Sequence, residues 1–310
     1  MPEASNRELF EYLKTLDTEQ RNPATRQIDL ADAESIARLI NDQDKGVADL
    51  VELALPDIAI AIELVKDAVA SGARLIYMGA GTSGRIGVVD ASECPPTFGT
   101  EPWQVQGLIA GGPAAMFEAQ EGSEDKPGHG EQALRDIDLK PGDVVCGLAA
   151  SGRTPYVLGG LKYAAEIGCK TVFVCCVAPA KLKLHSTVDV LIAVPVGPEV
   201  IMGSTRMKSA TAQKMICNMI TTGAMVRLGK VYENVMVDLM QTNKKLVERS
   251  RRIVMLFSGC SYEEAGLLLD TSDGHVKTAL VMALSGVSVS EAKKRLADNE
   301  GFVRKALQAR

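Results

Sequence analysis

Apolar positions recur at helical spacing over residues 32–53 and again over 57–71, with Pro56 between them. Upstream, Ser5 followed by Glu8 has capping-box spacing and predicts a first helix ending near Leu16. Residues 19–28, punctuated by Pro23, read as loop. After Gly72 the rhythm changes. Short, mostly apolar runs at 75–78, 105–109, 143–148, 171–176 and 188–194 predict buried strands. Helices are expected to start near Ser83, to cover 113–120, to run from Pro155 to Gly168, and to cover 205–228. Pro155 suits a first helical turn. Strands alternating with helices predict an α/β fold: a doubly wound, mostly parallel sheet with helices on both faces.

From Ser258 the pattern is all helical and repeats itself without gaps. Ser258-Gly259 recurs as Ser285-Gly286. Ser261, Glu264, Ala265 and Leu269 recur as Ser288, Glu291, Ala292 and Leu296. Gly274, Val276, Ala279 and Leu280 recur as Gly301, Val303, Ala306 and Leu307. Each copy reads as helix, glycine break, helix, and so small a unit buries its apolar face only against its twin. The expected organisation is an N-terminal helical extension (1–55), the sheet domain (56–250) and a small C-terminal helical module (251–310), which reads as a packing or dimer-stabilising cap.

Composition narrows the function. A net charge of −5 over 310 residues gives no basic footprint for nucleic acid. With aromatics at 4%, base-stacking platforms are not expected. The seven cysteines lie mostly in apolar runs and form no CxxC pair, which predicts reduced, buried thiols and a cytoplasmic protein. The three histidines are scattered, so no metal site is expected. The polar N-terminus does not read as a signal peptide, and no apolar run is long enough to span a membrane.

Two strands run into Gly/Ser loops that open helices: residues 79–85, Gly-Ala-Gly-Thr-Ser-Gly-Arg, and residues 149–154, Ala-Ala-Ser-Gly-Arg-Thr. Glycines permit close backbone approach, and helix N-termini favour anions. The hydroxyls of Thr82, Ser83, Ser151 and Thr154 suit phosphate oxygens. Neither loop is a Walker A sequence. Gly79, Gly81 and Gly84 fit GxGxxG, but the acidic strand residue of a dinucleotide site is replaced by a proline-rich segment around residues 92–96.

Longer strings carry a more specific signal. They are Arg21-Asn22-Pro23-Ala24-Thr25, the first loop, Asp90-Ala91-Ser92-Glu93-Cys94-Pro95-Pro96-Thr97-Phe98-Gly99, and Glu121-Gly122-Ser123-Glu124-Asp125. Further on come the second loop through Tyr156, Gly203-Ser204-Thr205-Arg206-Met207-Lys208, Met236-Val237-Asp238 and Thr242-Asn243. The loops resemble those of the sugar isomerase (SIS) fold. Together the strings resemble the N-acetylmuramic acid 6-phosphate etherase family over nearly the whole chain. That resemblance implies a dimeric lyase without metal or organic cofactor. It would cleave the D-lactyl ether of N-acetylmuramic acid 6-phosphate to N-acetylglucosamine 6-phosphate and D-lactate during recycling of cell-wall amino sugars.

Such a reaction needs an acid and a base. Glu93 matches the family's proton-donor glutamate, and its neighbours Cys94, Pro95, Pro96 and Phe98 predict a desolvated carboxyl. Glu124 matches the second active-site glutamate and is assigned the base role, with Glu121 and Asp125 as alternative carboxylates. Thr82, Ser83, Ser151 and Thr154 are the expected phosphate or sugar contacts. Glu199 resembles an acid of other sugar-isomerase-fold enzymes and is placed with the substrate-binding residues, or else is a helix-start charge. A non-catalytic sugar-phosphate sensor and an aldose–ketose isomerase are the alternatives; the presence of both Glu93 and Glu124 favours the etherase.

Overall fold

A computed structural model describes residues 11, 14–182, 188–240 and 244–309. The predicted Ser5–Glu8 capping box lies outside these residues, as do Thr242 and Asn243. The chain forms two compact units, one of Met1–Ala91 with Val105–Ile220, the other of Ser92–Gln104 with Thr221–Arg310.

In the first unit, the long helix expected over 32–53 is two helices, α1 (Ala33–Lys45) and α2 (Val47–Glu52), parted at Gly46. Asp32 caps α1 by accepting from the Ser35 amide at 2.8 Å. Pro56 does not separate helices; it sits in the first turn of α3 (Leu55–Ala70), where no intrahelical N–H is required of it. Five strands follow: β1 (Leu75–Gly79), β2 (Val105–Ile109), β3 (Val144–Leu148), β4 (Lys170–Cys175) and β5 (Val190–Ala193). They pair in parallel in the order β2-β1-β3-β4-β5. All five predicted strands are therefore present, within a residue or two of their expected ends.

Sequence-adjacent β1 residues face opposite helices, as the period of two requires. Helix α4 (Gly81–Phe98) covers the Tyr77 face: a methyl on Gly87 would lie 2.8 Å from the Tyr77 Cβ. Helix α6 (Pro155–Ile167) covers the Met78 face: a methyl on Gly160 would lie 2.1 Å from the Met78 Cε. Both β1 side chains are fully buried. The unexpected helix α5 (Pro127–Asp136) opens with two glycines and reads locally as loop. Its close seat on α6, where a methyl on Gly130 would meet the Tyr156 carbonyl oxygen, makes it a helix by packing rather than propensity. The helix expected over 113–120 is a short 3₁₀ turn, Pro113–Met116. The unit closes within α7 (Lys208–Arg227), which runs on past Ile220 into the second unit.

The proline-rich segment at 92–96 is not a loop. Helix α4 continues through Pro95 and Pro96 and stops at Gly99, whose amide donates to the Pro95 carbonyl at 3.0 Å. Gly99 has φ +61°, the left-handed C′ conformation that ends helices.

The second unit contains a two-strand antiparallel ribbon, β6 (Val231–Tyr232) and β7 (Val235–Met236), absent from the sequence-based expectation. Helix α8 (Lys244–Ser258) runs unbroken across the boundary expected at residues 250/251. Then come α9 (Tyr262–Thr271), α10 (Val276–Ser285), α11 (Val289–Asp298) and α12 (Val303–Gln308). The repeat is structural. Ser261 and Ser288 each cap a helix by accepting from the amide of Glu264 or Glu291. Asp273-Gly274 and Glu300-Gly301 adopt matching positive-φ pairs. Ala265, Ala279, Ala292 and Ala306 are fully buried, with Leu269 and Leu296 beside them. The recurring residues are thus the caps, the turn glycines and the core.

Candidate active site

The order β2-β1-β3 reverses direction between β1 and β3, and ligands of open α/β sheets bind outside the carboxyl ends of strands at such a point. Both Gly/Ser loops are there. Gly79 at the end of β1 pairs in register with Leu148 at the end of β3, so the loops leave the sheet side by side.

The first loop turns directly into α4, which starts at Gly81, two residues before the expected Ser83. Gly79 and Gly84 pack backbone against backbone: a methyl on Gly79 would lie 2.6 Å from the Gly84 amide nitrogen. Thr82 and Ser83 therefore occupy the first helical turn, half-buried, among amides that have no intrahelical acceptor. In the second loop, Gly152 has φ +72° and its amide donates to the Ala149 carbonyl at 2.9 Å. Ser151 and Thr154 are half-buried. Thr154 is the N-cap of α6, yet its side chain makes no capping hydrogen bond to the helix.

The segment bearing Glu124 meets the first loop and the helix that the second loop opens. Its main-chain carbonyl accepts from the Tyr156 amide at 3.0 Å, against the first turn of α6. A cavity of about 180 Å³ is lined by Ala80, Gly81 and Arg85 on one side and by Glu121, Gly122 and Glu124 on the other. The Arg85 guanidinium is spent on structure, donating to the Ala115 carbonyl at 2.7 Å and the Met116 carbonyl at 3.1 Å. The Glu124 side chain is exposed over much of its surface, yet nearby atoms crowd its carboxyl. Loss of solvation, and then the charge of Asp125, raise its pKa.

Glu93 lies on the last turns of α4 and is exposed, so the described residues do not form the enclosed setting expected from its neighbours. The reason is helical geometry. Residues adjacent in sequence point about 100° apart on a helix, so the buried Cys94 turns away from Glu93 instead of covering it.

Glu199 stands at a helix start, one of the two places expected for it. It is fully buried, and its carboxylate is committed to the start of α7. Oε2 accepts from the Lys208 amide at 2.9 Å, and Oε1 accepts from the Ser209 amide at 2.9 Å and its hydroxyl at 2.7 Å. A carboxylate at a helix N-terminus satisfies amides that the helix cannot. Lys208 is tied down as well, donating to the Val196 carbonyl at 2.8 Å.

Lys214 lies on α7 and is exposed. With Thr82, Asp90 and Asn218 it lines a second cavity of about 160 Å³ beside the first loop. A lysine within a helical pattern reads as a solvated face, so no local signal marks it. All seven cysteines are free and six are buried. Among the described residues no cluster could hold a metal ion, and no helix is long and apolar enough to cross a membrane.

The profile of the glucokinase regulatory protein N-terminal SIS domain matches residues 57–165. Among solved structures, the phosphoheptose isomerase GmhA from Neisseria gonorrhoeae superposes with a TM-score of 0.45 at 17% identity, covering 61% of this chain and 98% of that one. N-acetylmuramic acid 6-phosphate etherase of Vibrio campbellii is 52% identical, covering 89% of each chain. The enzyme of that name from Salinibacter ruber is 56% identical over 282 residues, 91% of this chain and 89% of its own length. At that identity over nearly the full length, the chain belongs to the N-acetylmuramic acid 6-phosphate etherase family.

Proposed function

We propose that this chain cleaves the D-lactyl ether of N-acetylmuramic acid 6-phosphate, releasing D-lactate and N-acetylglucosamine 6-phosphate, as a cytoplasmic homodimer. The observation that carries this is the placement of two hydroxyl-bearing loops at the ends of adjacent strands β1 and β3, in a chain so close to enzymes of that name.

The chemistry follows from the substrate. An ether alkoxide is a poor leaving group at neutral pH. Opening of the sugar ring places the C2 hydrogen beside an aldehyde, which acidifies it. Glu124 takes the C2 proton, and its raised pKa suits a general base better than an ordinary carboxylate would. The electron pair from C2–H forms the C2–C3 double bond as the C3–O bond breaks. Glu93 protonates the departing lactate oxygen. Water then adds across the double bond, hydroxyl to C3 and hydrogen to C2, which restores the atoms of the amino sugar. Thr82, Ser83, Ser151 and Thr154 hold the phosphate from the two loops, where helix N-terminal amides add their partial positive charge.

The direct test is incubation of the purified protein with N-acetylmuramic acid 6-phosphate and measurement of D-lactate. Stoichiometric D-lactate and N-acetylglucosamine 6-phosphate are expected. Binding of the sugar phosphate without lactate release would indicate a sensor. Conversion of a hexose 6-phosphate between aldose and ketose would indicate an isomerase.

A further inference from the structure

Residues 92–104, which carry Glu93, pack with residues 221–310 as one compact unit. The joint is tight. A methyl built on Gly99 would lie 2.2 Å from the Asp238 carbonyl oxygen, so the turn that ends α4 runs directly against the Asp238 main chain. The Asp238 side chain is itself fixed. Its Oδ2 lies 2.9 Å from Lys230 Nζ and 2.8 Å from Lys277 Nζ, and His275 Nε2 stands 3.7 Å from Oδ1. Lys277 lies on α10, inside the helical repeat, and is only 5% exposed.

A buried ammonium is costly unless it is paired, so a lysine at this position needs a reason. The symmetry of the repeat does not supply one. The equivalent position in the second copy is Arg304, which is exposed on α12. The repeat therefore closes its core without a buried charge there, and Lys277 forms its ion pair with Asp238. Replacing a buried pair by apolar side chains is often neutral or stabilising, which makes fold stability a poor reason for keeping it.

We propose that the helical repeat is the platform for the Glu93-bearing end of α4, with Lys277, acting through Asp238 and the Gly99 turn, as a positioning residue for the proton donor. The inference rests on the reading of Glu93 as the group that protonates the lactate oxygen. It gives the C-terminal module a part in the reaction beyond that of a packing cap.

The experiment compares Lys277→Met, which keeps length without charge, with Lys277→Arg, which keeps the charge. Two rates are read on each protein: D-lactate release from N-acetylmuramic acid 6-phosphate, and exchange of the C2 hydrogen with deuterated water. For Lys277→Met, kcat for lactate release should fall about tenfold or more, with KM and C2 exchange each within about twofold of the unaltered chain. Lys277→Arg should recover lactate release. Loss of both rates by the same factor, or of neither, overturns the positioning role. Should Lys277→Met fail to fold, Asp238→Asn is read by the same two rates against the same criteria. An unaltered chain that exchanges C2 but releases no lactate overturns the etherase reading itself, and with it the role given to Glu93.

Discussion

Glu199 Oε1 accepts from both the backbone N–H and the hydroxyl of Ser209, at 2.9 and 2.7 Å, inside a site closed to solvent. This pair anchors the start of α7. Glu199→Gln would turn an amide N–H₂ toward donors and leave at least one of them unpaired. The expected cost is about 1–3 kcal/mol of stability, read as a lower urea midpoint at unchanged m-value. KM for the sugar phosphate should stay within about twofold. A large rise in KM with no loss of stability would return Glu199 to the substrate contacts.

The two-carboxylate scheme separates by isotope. Glu93→Ala should lose lactate release yet still exchange the C2 hydrogen with deuterated water, because proton removal precedes departure of the lactate oxygen. Glu124→Ala should lose both, with kcat down by roughly 10²–10⁴-fold as expected for loss of a general base. Exchange that survives in Glu124→Ala would pass the base role to Glu121 or Asp125.

A base acts in its deprotonated form, so the acid limb of kcat/KM should follow the pKa of Glu124, which is raised from its ordinary value. Desolvation is the main cause of that shift, and the charge of Asp125 adds to it. Asp125→Asn removes the second cause only. The acid limb should then move to lower pH, a partial displacement measurable in the pH profile of lactate release. A limb that stays in place or moves upward contradicts Glu124 as the titrating base.

The side chain of Thr154, at the N-cap of α6, makes no capping hydrogen bond to the helix, so its hydroxyl can serve a ligand at little cost to the fold. Thr154→Val preserves shape and removes that hydroxyl. A lost hydrogen bond to a charged phosphate corresponds to about 1.5–3 kcal/mol, which is roughly a ten- to hundredfold rise in KM. Thermal stability should change little. If stability falls while KM is unaffected, the hydroxyl is structural.

The amino-acid sequence determined much of this protein. The five strands were legible because residues buried on both faces of a parallel sheet form continuous apolar runs, as in Leu75–Gly79. The helical repeat was legible because its caps, turn glycines and core alanines recur in register. The two loops and the carboxylates were legible as motifs. Tertiary structure alone decided the rest. It made α5 a helix by seating Gly130 against Tyr156, and it carried α4 through Pro95 and Pro96. It spent Glu199 on an internal cap, and it packed the Glu93-bearing end of α4 with residues 221–310, far along the chain. Local propensity and spacing report on neighbours in sequence, whereas burial and the partner of a charge are set by residues distant in sequence, and those decide what a carboxylate does.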